Sequence, residues 1–330
     1  MKNTRSIVQG FMLCVCLAAS FAVAAEQESI VVDSNGDYVI TYKSYLGWQK
    51  VTWVPATKIN PTVRGVVRPV TGKPDNLSYN YTVLNGKDSR QFLVGLNLLA
   101  SNVLSPDARS PDGWSGGAAL DRAAGSGFIV GWSPWPPGDS RPDGLKPGAA
   151  VSGFGFDSKD LPGIGKIRLY GEIWSDRNVI PNNFPDEGPD EDSPIYAEFI
   201  RITNDNDFIA RLAAVPHISV PVPFNAAVVL ANIQKHLDTD LVSMKLVDPA
   251  IVAQMDPWFA TAIDAAKRNS TAGLRNALQE LRRLLKQECA DVDQEGNETD
   301  TDDKPVPPAR IAKLAARVLN FDLKYVGSRI

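Results

Sequence analysis

Apolar positions follow two different rhythms along this chain. Up to about Phe224 they come as short runs or strict alternations, broken by Gly, Pro, Asn and Asp; from about Asn225 they recur every three or four residues. The first rhythm is that of β-strands and the second that of amphipathic helices. Leu77, Tyr79, Tyr81 and Val83 alternate with Ser78, Asn80 and Thr82, as a half-buried strand does. Asn85-Gly86 follows as a turn signal, and 92–99 then reads as the returning strand of a hairpin. Further strands are expected over 38–42, 48–54, 63–70, 127–132, 150–156, 166–174, 196–202 and 218–222. Many short strands with this punctuation predict an antiparallel β-sandwich. Strand–helix alternation is absent, which excludes a parallel α/β sheet.

After Asn225 the helical period predicts a first helix over 228–237 and a second opened by Pro249 or Pro257 and ending near Arg268. Asn269-Ser270-Thr271 offers a cap for a third, in which Leu274, Leu278, Leu281 and Leu285 form one apolar stripe on a polar helix. Ile311, Leu314, Val318, Phe321 and Tyr325 repeat that plan in a last helix after Pro307-Pro308. Neither stripe is stable in water, so the helices are expected to bury them in a small bundle. The fold expected is mainly β plus α: a sandwich over 26–224 followed by a helical domain over 225–330.

Residues 1–25 stand apart. Lys2 and Arg5 precede an apolar run from Ile7 to Ala25, which ends in Ala22-Val23-Ala24-Ala25 before polarity returns at Glu26. This order is that of a secretory signal peptide with a small-residue cleavage site. The run falls short of the about 20 apolar residues a spanning helix needs, so cleavage is expected rather than anchoring. No second long apolar run follows, and the mature chain is expected to be secreted or periplasmic, without a membrane span. Cleavage removes two of the 34 basic residues and none of the 38 acidic ones, making the chain more negative than its full-length net charge of −4. That sign repels phosphate backbones and argues against a nucleic-acid partner. Two of the three cysteines leave with the signal. The remaining Cys289 cannot form an internal disulfide, and its place at a helix end predicts burial as a small hydrophobe.

Two stretches carry a family resemblance. Tyr79-Asn80-Tyr81-Thr82-Val83-Leu84-Asn85 resembles a strand of the immunoglobulin-like modules of bacterial surface proteins. Leu145-Lys146-Pro147-Gly148, Val151-Ser152-Gly153-Phe154-Gly155-Phe156 and Leu161-Pro162-Gly163 resemble a motif of exported bacterial proteins of unassigned activity. The tail Asn320-Phe321-Asp322-Leu323-Lys324-Tyr325 is similar to the close of their helical C-terminal regions. The resemblance implies an exported bacterial protein with an immunoglobulin-like sandwich and a helical C-terminal region; it brings no catalytic residue.

The residues themselves offer three kinds of chemistry. The first is calcium binding in the acidic loop after the third helix. Calcium takes about six to eight oxygens, which an EF-hand loop supplies at positions 1, 3, 5, 7, 9 and 12 around a glycine at 6. Counted from Asp291, those positions hold Asp291, Asp293, Glu295, Asn297, Thr299 and Asp302, with Gly296 at the turn. Glu298 at position 8, the shorter Asp302 at position 12 and the prolines at 305, 307 and 308 depart from the pattern; a solvated acidic connection is the simpler account. The acidic, proline-bearing run 186–192 reads as a surface loop.

The second is aromatic recognition. The seven tryptophans all lie in the mature chain. Trp135 in Trp132-Ser133-Pro134-Trp135-Pro136-Pro137 and Trp114 in a Gly- and Pro-rich stretch are the candidates to stack on a sugar or to meet an envelope protein. Trp132 and Trp174 are expected in the core.

The third is catalysis, and little favours it. There is no G-x-S-x-G, P-loop or H-E-x-x-H. The two histidines, His217 and His236, read as packing or surface residues. Glu172 and Glu198 are the only pair on candidate strands that an envelope hydrolase would use. The leading expectation is a non-catalytic exported binding protein of the envelope, with a calcium-dependent assembly module and an envelope hydrolase as alternatives. Four Asn-x-Ser/Thr sites, at Asn76, Asn80, Asn269 and Asn297, are incidental in a bacterial export route.

Overall fold

A computed structural model describes residues 27–123, 126–134, 144–172, 188–289, 292 and 310–330. The expected signal peptide lies outside the described residues. Eleven strands and five α-helices are present among them: β1 (Ser29–Val32), β2 (Tyr38–Ser44), β3 (Gly47–Trp53), β4 (Pro61–Val70), β5 (Lys73–Asn85), β6 (Leu93–Ala100), β7 (Trp114–Leu120), β8 (Phe128–Pro134), β9 (Ala150–Ser158), β10 (Leu161–Gly171), α1 (Tyr196–Asp205), β11 (Ile209–Ile218), α2 (Ala226–Lys235), α3 (Pro249–Lys267), α4 (Thr271–Glu288) and α5 (Lys313–Gly327). The strands form three antiparallel sheets, ordered β1-β2-β3, β4-β5-β9 and β11-β10-β6-β8-β7. The helices come late in the chain, as the change of period predicts. No helix of the described residues is long and apolar enough to cross a membrane.

The two larger sheets meet through aromatic rings. The alternation in β5 turns Tyr79 and Tyr81 inward, where Tyr79 stacks on Phe156 at 5.5 Å and Tyr81 meets Trp132 edge-on at 6.3 Å. Both phenols are fully buried, so each needs a partner. Tyr79 donates to the Asp160 carbonyl and Tyr81 to the Ala214 carbonyl, each at 2.8 Å. Trp132 is buried as expected, its indole N–H donating to the Arg109 carbonyl.

The helices close one continuous core with these sheets. Leu274, Leu278, Leu281 and Leu285 of α4 are buried, as are Val318, Leu319 and Leu323 of α5, in the same cluster as Ile164 and Ile167 of β10. Ser270 caps α4 by accepting from the Gly273 amide, and Pro249 opens α3, leaving Pro257 inside it. Cys289 is buried at the end of α4.

The structure differs from the sequence reading at several points. The segment 196–202 is helix α1, not a strand. Ile195, Phe199 and Ile202 are spaced by four and three, a helical period, and Glu198, Arg201 and Asp205 pair along the opposite face. Phe199 and Ile202 bury themselves against Ile40, Tyr42, Val51 and Trp53, a separate small core beneath β1-β2-β3. The last strand of the β region is β11, ending at Ile218; the extended segment 219–222 carries no ladder. β5 and β6 do not form a hairpin: β5 pairs with β4 and β9, β6 with β10 and β8. The Asn85 amide, bonded to the Gln91 and Leu145 carbonyls, holds a wider connection that crosses between the sheets. β1, β7 and, save for Ile218, β11 are strands not expected; β7 escapes because its core, Ser115-Gly116-Gly117-Ala118-Ala119, lacks the branched and aromatic residues by which strands are read.

Candidate ligand-binding site

The outward face of the five-stranded sheet is open and poor in side chains. Asn97 on β6, Gly131 on β8 and Gly117 on β7 stand in register, and Gly95 on β6 opposes Tyr170 on β10. Asn97, Gly117 and Gly131 floor a trough of 390 Å³. Tyr170 forms one wall, Ser115 and Ser133, in register with each other, another, and Ile129 lies along the floor. Asn97 Nδ2 donates to the Tyr170 hydroxyl at 2.9 Å, so the hydroxyl accepts there and keeps its own hydrogen for another partner.

These glycines have no evident duty to the fold. None of Gly95, Gly117 and Gly131 has positive φ, and a Cβ on any of them meets nothing nearer than 3.5 Å. Glycine in a strand interior costs roughly 0.5–1 kcal/mol against alanine. Gly117 and Gly131, paired across adjacent strands, keep a surface open that ordinary strand residues would fill.

A second constellation joins the sheet to the helices. The ladder between β10 and β11 slips between Leu161 and Pro162, leaving His217 as the extra residue of a bulge. A bulge re-aims a side chain. A Cβ on Gly163 would lie 2.6 Å from His217 Cβ, so only glycine lets the imidazole cross there. A π-helical turn over His236–Leu241 follows α2 and places His236 and Asp240 side by side. Asp240 Oδ2 lies 2.7 Å from His236 Nδ1 and 3.2 Å from His217 Nε2. The two rings are 4.7 Å apart, and the three ligating atoms all lie within 4.8 Å of one another.

The buried ring decides what this cluster does. The Ile164 amide donates to His236 Nε2 at 3.3 Å, so the proton of the neutral imidazole sits on Nδ1 and is given to Asp240. Burial lowers the His236 pKa, against the opposing hydrogen bond from Asp240, and the neighbouring His217 lowers it further. Burial works to raise Asp240, but the hydrogen bonds and charges of His236 and His217 outweigh it and hold the carboxyl below its usual range. The donor set suits a divalent metal by type, His₂Asp. The tautomer opposes it: a metal on Nδ1 would place a second N–H against the Ile164 amide, whereas metal-ligating histidines ordinarily donate from their other nitrogen. The cluster reads as a proton-sensitive clamp between β11 and the helices.

A third unusual group is Asp322 on α5. It is wholly buried, and neither carboxylate oxygen has a hydrogen-bond partner among the described residues. Burial pushes its pKa far up. It lies near Tyr79, whose phenol is raised by burial first and by the charges of Tyr81, Asp322 and Asp160 after it.

Of the residues singled out in the sequence, Trp114 opens β7, with its ring edge-on to Phe154 at 5.0 Å. Strand alternation puts it on the opposite side from Ser115 and Gly117. Trp135 lies outside the described residues, as do Trp174 and the candidate calcium ligands Asp291, Asp293, Glu295, Asn297, Thr299 and Asp302. Glu172 follows β10, where its amide bonds to the Phe92 carbonyl. Glu198 sits on α1, exposed and bonded twice by Arg201, so the two glutamates do not share a sheet. The trough and the histidine cluster both escaped the sequence reading. A sign of the second was available: His236 and Asp240 are four apart, one helical turn. No protein-family model matches the chain, and no curated protein shows significant similarity to it.

Proposed function

We propose that this is an exported, non-catalytic binding protein of the bacterial envelope, and that its ligand is a carbohydrate lying in the trough at Asn97 and Tyr170. The observation that carries the reading is the glycine floor: two facing strand positions, Gly117 and Gly131, left bare with no demand from backbone or packing. A flat sugar ring can approach such a floor closely, meet Tyr170 with its apolar face and exchange hydrogen bonds with Asn97, Ser115 and Ser133. The trough's volume falls within the range of small-molecule sites. No carboxylate, histidine or thiol is among the described residues that line it, which favours binding over hydrolysis.

The apolar leader supports export, and the aromatic contact between the two larger sheets supports reading them as the layers of an immunoglobulin-like sandwich. Trp114 is not part of this trough: alternation sets it on the other face of β7, against Phe154, and Trp135 lies outside the described residues.

The test is retention of the purified protein on insoluble polysaccharides, peptidoglycan among them. Wild type should be retained on at least one. Gly131→Val should fold at least as stably, because the site has room and valine favours strands, yet should lose retention. Retention of Gly131→Val equal to wild type on every polymer, or no retention of wild type on any, refutes the proposal.

A further inference from the structure

The β2–β3 hairpin ends in a surface that turn chemistry does not explain. Ser44 pairs with Gly47, so the turn consists of two residues, Tyr45 and Leu46. Gly47, with φ of 100°, and the Ser44 hydroxyl, accepting from the Leu46 amide, make the turn tight. Gly, Asn, Asp, Pro and Ser are the residues such turns favour. Here the tip instead presents Tyr45 and Leu46, 79% and 71% exposed, with Trp48 40% exposed just behind them.

The sheet face behind the tip is positively charged. Register places Val31 on β1, Val39, Thr41 and Lys43 on β2, and Trp48, Lys50 and Thr52 on β3 on the side away from α1. Lys43 stands directly opposite Trp48, and Lys50 opposite Thr41. Both lysines are exposed, and none of the described strand residues of this face is acidic; the Glu28 carboxylate lies at its edge, where the Lys43 amide and the Ser193 hydroxyl donate to it. The acidic Glu198 and Asp205 lie on α1, which covers the other face, where Arg201 pairs with both. The patch is locally cationic on a chain of net charge −4.

We infer that this hairpin docks the protein on an anionic lipid bilayer. Tyr and Trp favour the interface between headgroups and acyl chains, where an amphipathic ring is wet at one end and apolar at the other. Leu46 at the tip has no role in gripping a polar polymer, but gains by leaving water for the acyl boundary. Lys43 and Lys50 lie where anionic headgroups would meet them as the tip enters. The inference is independent of the trough, which lies on another sheet.

The test is co-sedimentation of the full chain with vesicles of phosphatidylcholine alone and of phosphatidylcholine mixed with phosphatidylglycerol. Binding is expected to the mixed vesicles only, and to weaken with added salt. The double variant Lys43→Gln/Lys50→Gln should bind about thirtyfold more weakly, roughly fivefold for each lysine. Leu46→Ser should lose about tenfold or more. All these positions are exposed, so the variants should melt with wild type. Equal binding to both vesicle types, no binding to either, or variants that bind as wild type would overturn the inference. So would a concentration-dependent dimer through Tyr45 and Leu46, or retention on anionic polysaccharide, in a protein that ignores vesicles.

Discussion

Replacing Asp322 by asparagine should make the protein more stable, and increasingly so as the pH rises. Asp322 is wholly buried, has no hydrogen-bond partner among the described residues and carries a pKa far above the ordinary 3.8. Its carboxyl is therefore protonated in the folded protein and ionised in the unfolded chain near neutrality. A group with a raised folded pKa contributes its stability below the unfolded value and loses it as pH rises toward the folded one. Each pH unit between the unfolded and the folded value costs about 1.4 kcal/mol. Asparagine keeps the shape, stays neutral in both states and removes this term, leaving a buried amide in place of a buried acid. Urea unfolding of wild type and Asp322→Asn at pH 5 and pH 7 reads the effect as a difference of differences. The advantage of the variant should grow between the two pH values, by at most about 1.4 kcal/mol per pH unit. A constant gap, or a variant less stable than wild type at pH 7, would refute the assignment, because either means that the carboxylate is ionised and paired in the fold.

Other outcomes follow from the same reasoning. His236, whose folded pKa is lowered chiefly by burial, has the opposite sign: its stability is present above the unfolded value of about 6.5 and is lost as pH falls through the folded one. His236→Gln should therefore lose less stability than wild type between pH 7 and pH 5, seen in paired melts; a steeper loss would contradict the tautomer assigned here. Asp240→Ala leaves the buried His236 N–H without its acceptor and should cost about 1–3 kcal/mol at neutral pH, measured by urea unfolding. Phe199→Ala should cost about 3–5 kcal/mol, but within the small core under β1-β2-β3. Hydrogen exchange should then show amides of β2 and β3 deprotected while those of β5, β6 and β10 stay closed.

The parts of the fold legible in the sequence are those set by local period. Tyr79 and Tyr81 alternate into the core, the leucines of α4 face inward, and Ser270 caps its helix as expected. Pairing was less legible, because Asn85-Gly86 announces a turn without saying which sheet the next strand joins. The helix α1 was misread for a related reason. Its ten residues, with Ile195 at the N-cap, contain both a polar–apolar alternation and the Ile195–Phe199–Ile202 spacing, and only burial against Trp53 decides between them. The trough was hidden because glycine is read as punctuation, and only register shows that Gly117 and Gly131 lie side by side. The histidine cluster depends on a bulge at His217 and on a backbone amide, Ile164, that no side-chain motif encodes.

Amide shifts of isotope-labelled protein, followed while a soluble oligosaccharide of the retaining polymer is added, show most plainly whether the bare sheet face is where the ligand lies. Asn97, Ser115, Gly117, Gly131 and Ser133 should move together and saturate, and Gly131→Val should abolish the movement. Saturating shifts elsewhere in the molecule, with those five signals unmoved, would contradict the assignment.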